Sequence, residues 1–199
     1  MPLLLQRDKF IKLIDQNPQH ILKVLYTVAE TLVLFDSSEE YFINYKNLIN
    51  QMSPNLFKQL IDEFLKNVDK FKNSKSIYDL LLIRLKWLLN SLKNAPQFSW
   101  IMEGKIDGHP LVEEFLRSDQ SELVYANKFS CIKEAKEFAM RYNGLKRGFS
   151  INIVPSGFGK SCQILITKTR EFYKSQVNLY NNLQSEHKLI ENKMKFFFI

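Results

Sequence analysis

Residues 149–166 read FSINIVPSGFGKSCQILI. Phe149, Ile151 and Ile153 alternate on one side of an extended segment, and Cys162, Ile164 and Ile166 do the same after the turn Pro155-Ser156-Gly157-Phe158-Gly159-Lys160. Apolar alternation on both sides of a glycine-rich turn predicts a β-hairpin. Upstream, Ser121 to Ala126 has strand composition. Ser130 can cap a helix whose stripe Ile132, Ala135, Phe138, Ala139 and Tyr142 ends at Asn143-Gly144. The order is therefore strand, helix, hairpin. A short helix from His109-Pro110 through Arg117 precedes it. From Thr169 an amphipathic helix follows, with Phe172, Gln176, Leu179, Leu183 and Ile190 in its seam. Three heptads with glutamine in the seam favour packing back onto the sheet over a free coiled coil.

The first hundred residues differ in kind. All six glycines lie between Gly104 and Gly159, so the N-terminal part lacks the residue that most easily takes positive φ and suits helices with short connections. Five helices are expected there. The first runs from Arg7 to Gln16, and the second opens at Asn17-Pro18 with the stripe Ile21, Leu25, Val28 and Leu32. A third is capped by Ser37 or Ser38 and runs through Ile49. The fourth starts at Ser53-Pro54 and places Phe57, Leu60, Ile61, Phe64 and Leu65 on one face. The fifth, Ser76 to Lys93, is apolar on most sides through Leu80–Ile83, Leu85 and Trp87–Leu89, which places it at the centre of the packing. Leu13 to Leu25 can be laid over Leu48 to Leu60 at an offset of thirty-five residues, a length that suits a helix-pair repeat. The fold class is α+β and predominantly α-helical: residues 1–95 form a helical bundle or α-solenoid fragment, and residues 97–199 an α+β module joined at Asn94–Gln97.

The 199 residues carry 45% hydrophobic and 25% charged side chains, the composition of a folded globular chain. No apolar run reaches the roughly 20 residues that span a bilayer. Cys131 and Cys162 are too few for a disulfide framework, so an intracellular location, cytoplasmic or nuclear, is expected. The ending Lys195-Phe196-Phe197-Phe198-Ile199 reads as an adhesive interaction tail or as a cut through a longer chain.

Catalytic and metal motifs are suggested and then fail on spacing. Gly159-Lys160-Ser161 ends like a phosphate-binding loop, but the glycine required five places earlier is Val154, and a strand follows where a helix is needed. His20, His109 and His187 stand far apart, and His109 with Glu113 suits a helix cap better than a metal site. No catalytic residue, metal ligand or cofactor is assigned. The formal net charge of +7 is a positive signal: from Phe138 to Arg170 there are six basic residues, Arg141, Lys146, Arg147, Lys160, Lys168 and Arg170, and no acidic one. Interleaved with Tyr142, Phe149 and Phe158, they offer phosphate contact with base stacking, although lysines at turns and strand ends also serve as plain edge protection.

The runs His109-Pro110-Leu111-Val112-Glu113-Glu114-Phe115-Leu116-Arg117-Ser118, Ala135-Lys136-Glu137-Phe138-Ala139, Gly157-Phe158-Gly159-Lys160 and Ile166-Thr167-Lys168-Thr169 together resemble a module of large uncharacterised eukaryotic proteins. Some of those carry an iron- and 2-oxoglutarate-dependent dioxygenase domain elsewhere. The resemblance implies an accessory piece of an oxygenase-type protein without its own active site. The His-x-Asp/Glu pair of such an iron site is missing, since Leu22, Leu111 and Leu189 stand two places after the three histidines. The leading expectation is a non-catalytic interaction or adaptor protein with a protein partner. Nucleic-acid binding through the basic hairpin is the alternative.

Overall fold

The computed structural model describes residues 17–34 and 39–197. The expected helix Arg7–Gln16 and the Ser37 or Ser38 cap lie outside those residues. The chain falls into two compact units: Met1–Lys93 with Leu183–Ile199, and Asn94–Asn182. It is α+β and predominantly helical. Among the described residues no helix is long and apolar enough to cross a membrane.

In the first unit, α1 (Pro18–Leu34), α2 (Glu39–Ile49), α3 (Pro54–Lys66), α4 (Val68–Phe71) and α5 (Lys75–Ser91) share one hydrophobic core with the end of α8 (Glu171–Met194). The start of α3 follows from Ser53-Pro54. Proline lacks an N–H where the first helical turn needs none, and the Ser53 hydroxyl accepts from Leu56 N–H at 3.3 Å. Ser74, two residues before the expected Ser76, caps α5 in the same way through Ile77 N–H. Phe64 is the hub. Its ring meets Phe71 edge-on at 5.2 Å and stacks on Tyr26 at 5.8 Å. Of the stripe expected on α1, Leu25 is buried but Val28 is exposed, with Ala29 buried in its place. Tyr45 ties α2 to α1 by donating from its hydroxyl to Leu25 O at 2.8 Å.

Helix α5 does not bury most of its sides. Its buried positions are Ile77, Leu80, Leu81, Arg84 and Leu88, whereas Trp87 and Leu89 are exposed. Arg84 is the unexpected member. Its Nε donates to Glu186 Oε1 at 2.7 Å and its Nη2 to Oε2 at 3.1 Å, while Nη1 donates to Pro54 O at 2.9 Å. The two side chains are only 3% and 4% exposed. A bidentate fork of this kind satisfies both charges at once. It also requires Glu186 in this core, which corrects the expectation that the final helix packs on the sheet. Leu183 and Ile190 join the helical core, and only Phe172, near the start of α8, packs with the sheet. Phe197 is buried 5.9 Å from Tyr78, so this part of the tail is core rather than adhesive surface.

The second unit begins with a strap that places Met102 and Ile106 in its core. It continues through α6 (Pro110–Leu116), β1 (Glu122–Ala126), α7 (Ile132–Tyr142), β2 (Gly144–Lys146), β3 (Phe149–Ser156) and β4 (Gln163–Lys168). The four strands form one antiparallel sheet in the order β1-β4-β3-β2. Tyr125, Phe149, Ile151, Ile153, Ile164 and Ile166 all point to one face, where they meet Ala135, Phe138 and Ala139 of α7. Strand β2 was not expected. It pairs Gly144 with Ile151 and Lys146 with Phe149, and the Asn143 carboxamide supports it by accepting from Gly144 and Ile153 N–H groups. The N-cap of α7 is Cys131 rather than Ser130. The Glu134 carboxylate turns back to accept from the Ser130 N–H and hydroxyl, both at 2.8 Å. Gly104 has a close-packing role, since a Cβ there would overlap the Phe149 ring.

Lys168 lies in this core, not on the surface. Its Nζ donates to Leu116 O at 3.1 Å and Ser118 O at 2.6 Å, and sits over the Phe115 ring. It thereby caps the C-terminal end of α6, where carbonyls lack helical partners. Burial pushes its pKa down to about 8, although Asp119 opposes the shift. The unfolded chain therefore holds a proton that the folded chain releases once the pH passes about 8. Stability contributed at this site rises with pH from there toward the ordinary lysine value. The raised tyrosines Tyr45 and Tyr125 act with opposite sign above pH 10.0. Denaturant unfolding followed between the two limits should show that rise, and Lys168→Met should flatten it.

Candidate functional site

The six basic residues expected to touch phosphate lie on different elements. Lys146 and Arg147 are exposed at the β2–β3 turn, and Arg170 lies at the same end of the sheet, its guanidinium 5.1 Å from the Phe98 ring. Lys160 belongs to the β3–β4 turn at the opposite end. Arg141 stands on α7, and Lys168 is interior. Among the described residues, Lys146, Arg147 and Arg170 gather at one end of the sheet, Arg141 stands apart on the helix, and burial removes Lys168 from the surface set.

The Gly-Lys-Ser turn is closed on itself. Gly157 and Gly159 take positive φ of 86° and 53°, and Gly159–Ser161 forms a single 3-10 turn in which the Ser161 hydroxyl donates to Phe158 O at 2.7 Å. A strand follows. The hydroxyl that a phosphate loop would offer to a metal is thus spent locally, and the element that follows the turn is β4 rather than a helix whose N-terminus could face a phosphate. Phe158 stands 82% exposed at the tip.

His109 borders an open cleft of about 260 Å³ with Lys128, Phe129, Glu134, Glu137 and Arg141. Its Nδ1 lies 3.0 Å from the Tyr125 hydroxyl, and its ring meets Phe138 edge-on at 4.7 Å. Burial and the neighbouring Lys128 lower its pKa, which favours the neutral imidazole. His109 occupies the N-cap position of α6 without a side-chain capping bond. Glu113 accepts from Ile106 N–H at 2.9 Å and from Arg117 instead of facing the histidine. Among the described residues no three His, Cys, Asp or Glu side chains converge as a metal site. Cys162 is buried and Cys131 half-buried, and both are free thiols.

What the structure assembles is an open apolar row. Side chains at Val124, Leu165 and Val154 project from the sheet face opposite α7, and the register pairs Val124 with Leu165 and Leu165 with Val154. They are 59%, 37% and 50% exposed. Leu145, opposite Ser150, adds a fourth exposed aliphatic side chain on the same face. Around them stand Ala126, Gln163, Ser156, Thr167 and Asn152, with Glu122 as the sole charge on the β1, β3 and β4 positions of this face. Isolated exposed aliphatics need no explanation, but three contiguous across three strands form a patch. The sequence carries a sign of it. The runs Leu123-Val124-Tyr125, Ile153-Val154 and Ile164-Leu165-Ile166 are apolar without interruption, whereas a sheet with one solvated face should alternate with polar residues.

Comparison with protein families, with curated proteins and with solved structures finds no match to the chain.

Proposed function

We propose that the chain is a non-catalytic interaction protein whose contact surface is the open sheet face of the second unit, centred on Val124, Leu165 and Val154. The observation that carries the reading is the register that sets these three side chains side by side in solvent. The chemistry of the face points to a protein partner with an apolar, weakly charged contact region. The β1, β3 and β4 positions of this face bear one carboxylate and no cation, and so offer little to hold a phosphate backbone. Burying a complete aliphatic side chain contributes about 1.5–3 kcal/mol, and these are already partly covered. Association costs on the order of 4–15 kcal/mol. The row therefore acts as an anchor within a larger interface.

The test is the paired variant Val154→Lys/Leu165→Lys in the full chain. Both side chains reach solvent, so circular dichroism and melting should change little, within about 0.5 kcal/mol per site. Proteins retained by the wild type should be lost from the variant. A folded variant that keeps them would remove the open face from consideration. The competing nucleic-acid reading draws on Lys146, Arg147 and Arg170 at one end of the sheet. A salt series with single- and double-stranded oligonucleotides decides it: steeply salt-dependent binding that flattens in Lys146→Ala/Arg147→Ala would replace the proposed reading.

A further inference from the structure

Strand β1 is the edge of the sheet, and the direction of its free backbone groups can be derived. Lys168 N–H donates to Ser121 O at 2.8 Å, whereas Thr169 N–H donates to Ser150 O at 2.9 Å. On β4, even-numbered residues therefore bond to β1 and odd-numbered residues to β3. Through the register Leu123↔Ile166 and Tyr125↔Ile164, Ser121, Leu123 and Tyr125 spend their backbone groups on β4. The N–H and C=O groups of Glu122, Val124 and Ala126 then point outward, along the free edge. No other element of the described residues donates to them or accepts from them.

Such an edge is a template for another strand unless something blunts it. Usual blunting devices are proline, lysine, a bulge or a covering segment. The sequence Glu122-Leu123-Val124-Tyr125-Ala126 has no proline or lysine, its register with β4 runs without a bulge, and its one charge is Glu122. The strand stops where Asn127 turns to φ 59°.

We propose that β1 pairs antiparallel with β1 of a second copy of this chain, about a two-fold axis at Val124. This pairing deepens the reading above, on which its purpose rests although its geometry does not. About the axis Val124 faces its own copy, and Glu122 faces Ala126 in both directions, so the two carboxylates never oppose one another. The three outward residues of each strand can exchange up to about six backbone hydrogen bonds. The two open faces become one, and the row Val154, Leu165, Val124 continues into Val124, Leu165, Val154 of the copy. An isologous contact of this kind closes at two chains, because pairing consumes both free β1 edges.

Sedimentation velocity of the full chain, from micromolar to hundreds of micromolar, should show a monomer–dimer equilibrium. Val124→Pro removes an outward N–H that the sheet does not use, and should yield a folded monomer. Ala126→Glu sets carboxylates opposite one another twice and should weaken the dimer by roughly tenfold. Glu122→Lys/Ala126→Glu sets lysine opposite glutamate and should restore it. Wild type that stays monomeric throughout, or a dimer untouched by Val124→Pro, would overturn the pairing. Failure of the double variant to recover would overturn the register about Val124. A monomer that still loses partners through Val154→Lys/Leu165→Lys removes only the pairing. A dimer whose partners survive that variant removes only the function proposed for the open face.

Discussion

Glu186→Ala should lower the free energy of unfolding by about 3–5 kcal/mol, since it strands a buried guanidinium without its countercharge. Arg84 retains Pro54 O as an acceptor and the Trp87 ring 4.3 Å from its guanidinium carbon, but neither neutralises a cation that is 3% exposed. The converse change separates pairing from packing. Arg84→Met/Glu186→Leu fills a similar volume without charge and should recover most of the loss, because desolvation offsets much of the attraction within a buried ion pair. Equilibrium urea unfolding of the two variants beside the wild type measures both. A Glu186→Ala loss below about 1 kcal/mol, the range of exposed ion pairs, would show that solvent reaches this site.

Phe64→Ala should cost a similar amount, about 3–5 kcal/mol, by the different route of a cavity. The side chain is fully buried between Tyr26 and Phe71, and removing it also breaks two ring contacts of the kind worth about 0.5–1.5 kcal/mol each beyond area. Phe64→Leu keeps most of the volume and should lose roughly half as much. Calorimetry gives the comparison directly. Equal losses for Ala and Leu would mean that the aromatic contacts, rather than filled space, dominate at this position.

The sequence made local features legible where local chemistry decides them. Ser53-Pro54 announces α3, and the alternation in residues 149–166 announces β3 and β4, because caps and side-chain period act within a few residues. Arg84 could not be placed in the core from the sequence, since its partner Glu186 lies 102 positions away. An arginine within an apolar helix simply reads as its solvated side. The same distance hid the docking of Leu183 and Ile190, whose heptad spacing fits any apolar acceptor. Strand β2 was missed because three residues directly after a helix carry no period. Lys168 illustrates the limit for sites: at a strand end lysine is ordinarily solvated, and only the approach of Leu116 O and Ser118 O draws it inside. The open row was legible in part, as unbroken apolar runs where alternation was due. Its alignment was not, because register between β1 and β4 is a tertiary fact.

The most direct test of the open face as the working surface is site-resolved photo-crosslinking in the full chain. A photoreactive side chain at position 165, on that face, is compared with one at Met140, which is exposed on α7. The account predicts discrete protein adducts from position 165 that the Val154→Lys background abolishes, with few or none from position 140. Adducts equal at both positions, or adducts to nucleic acid from position 165, would contradict it.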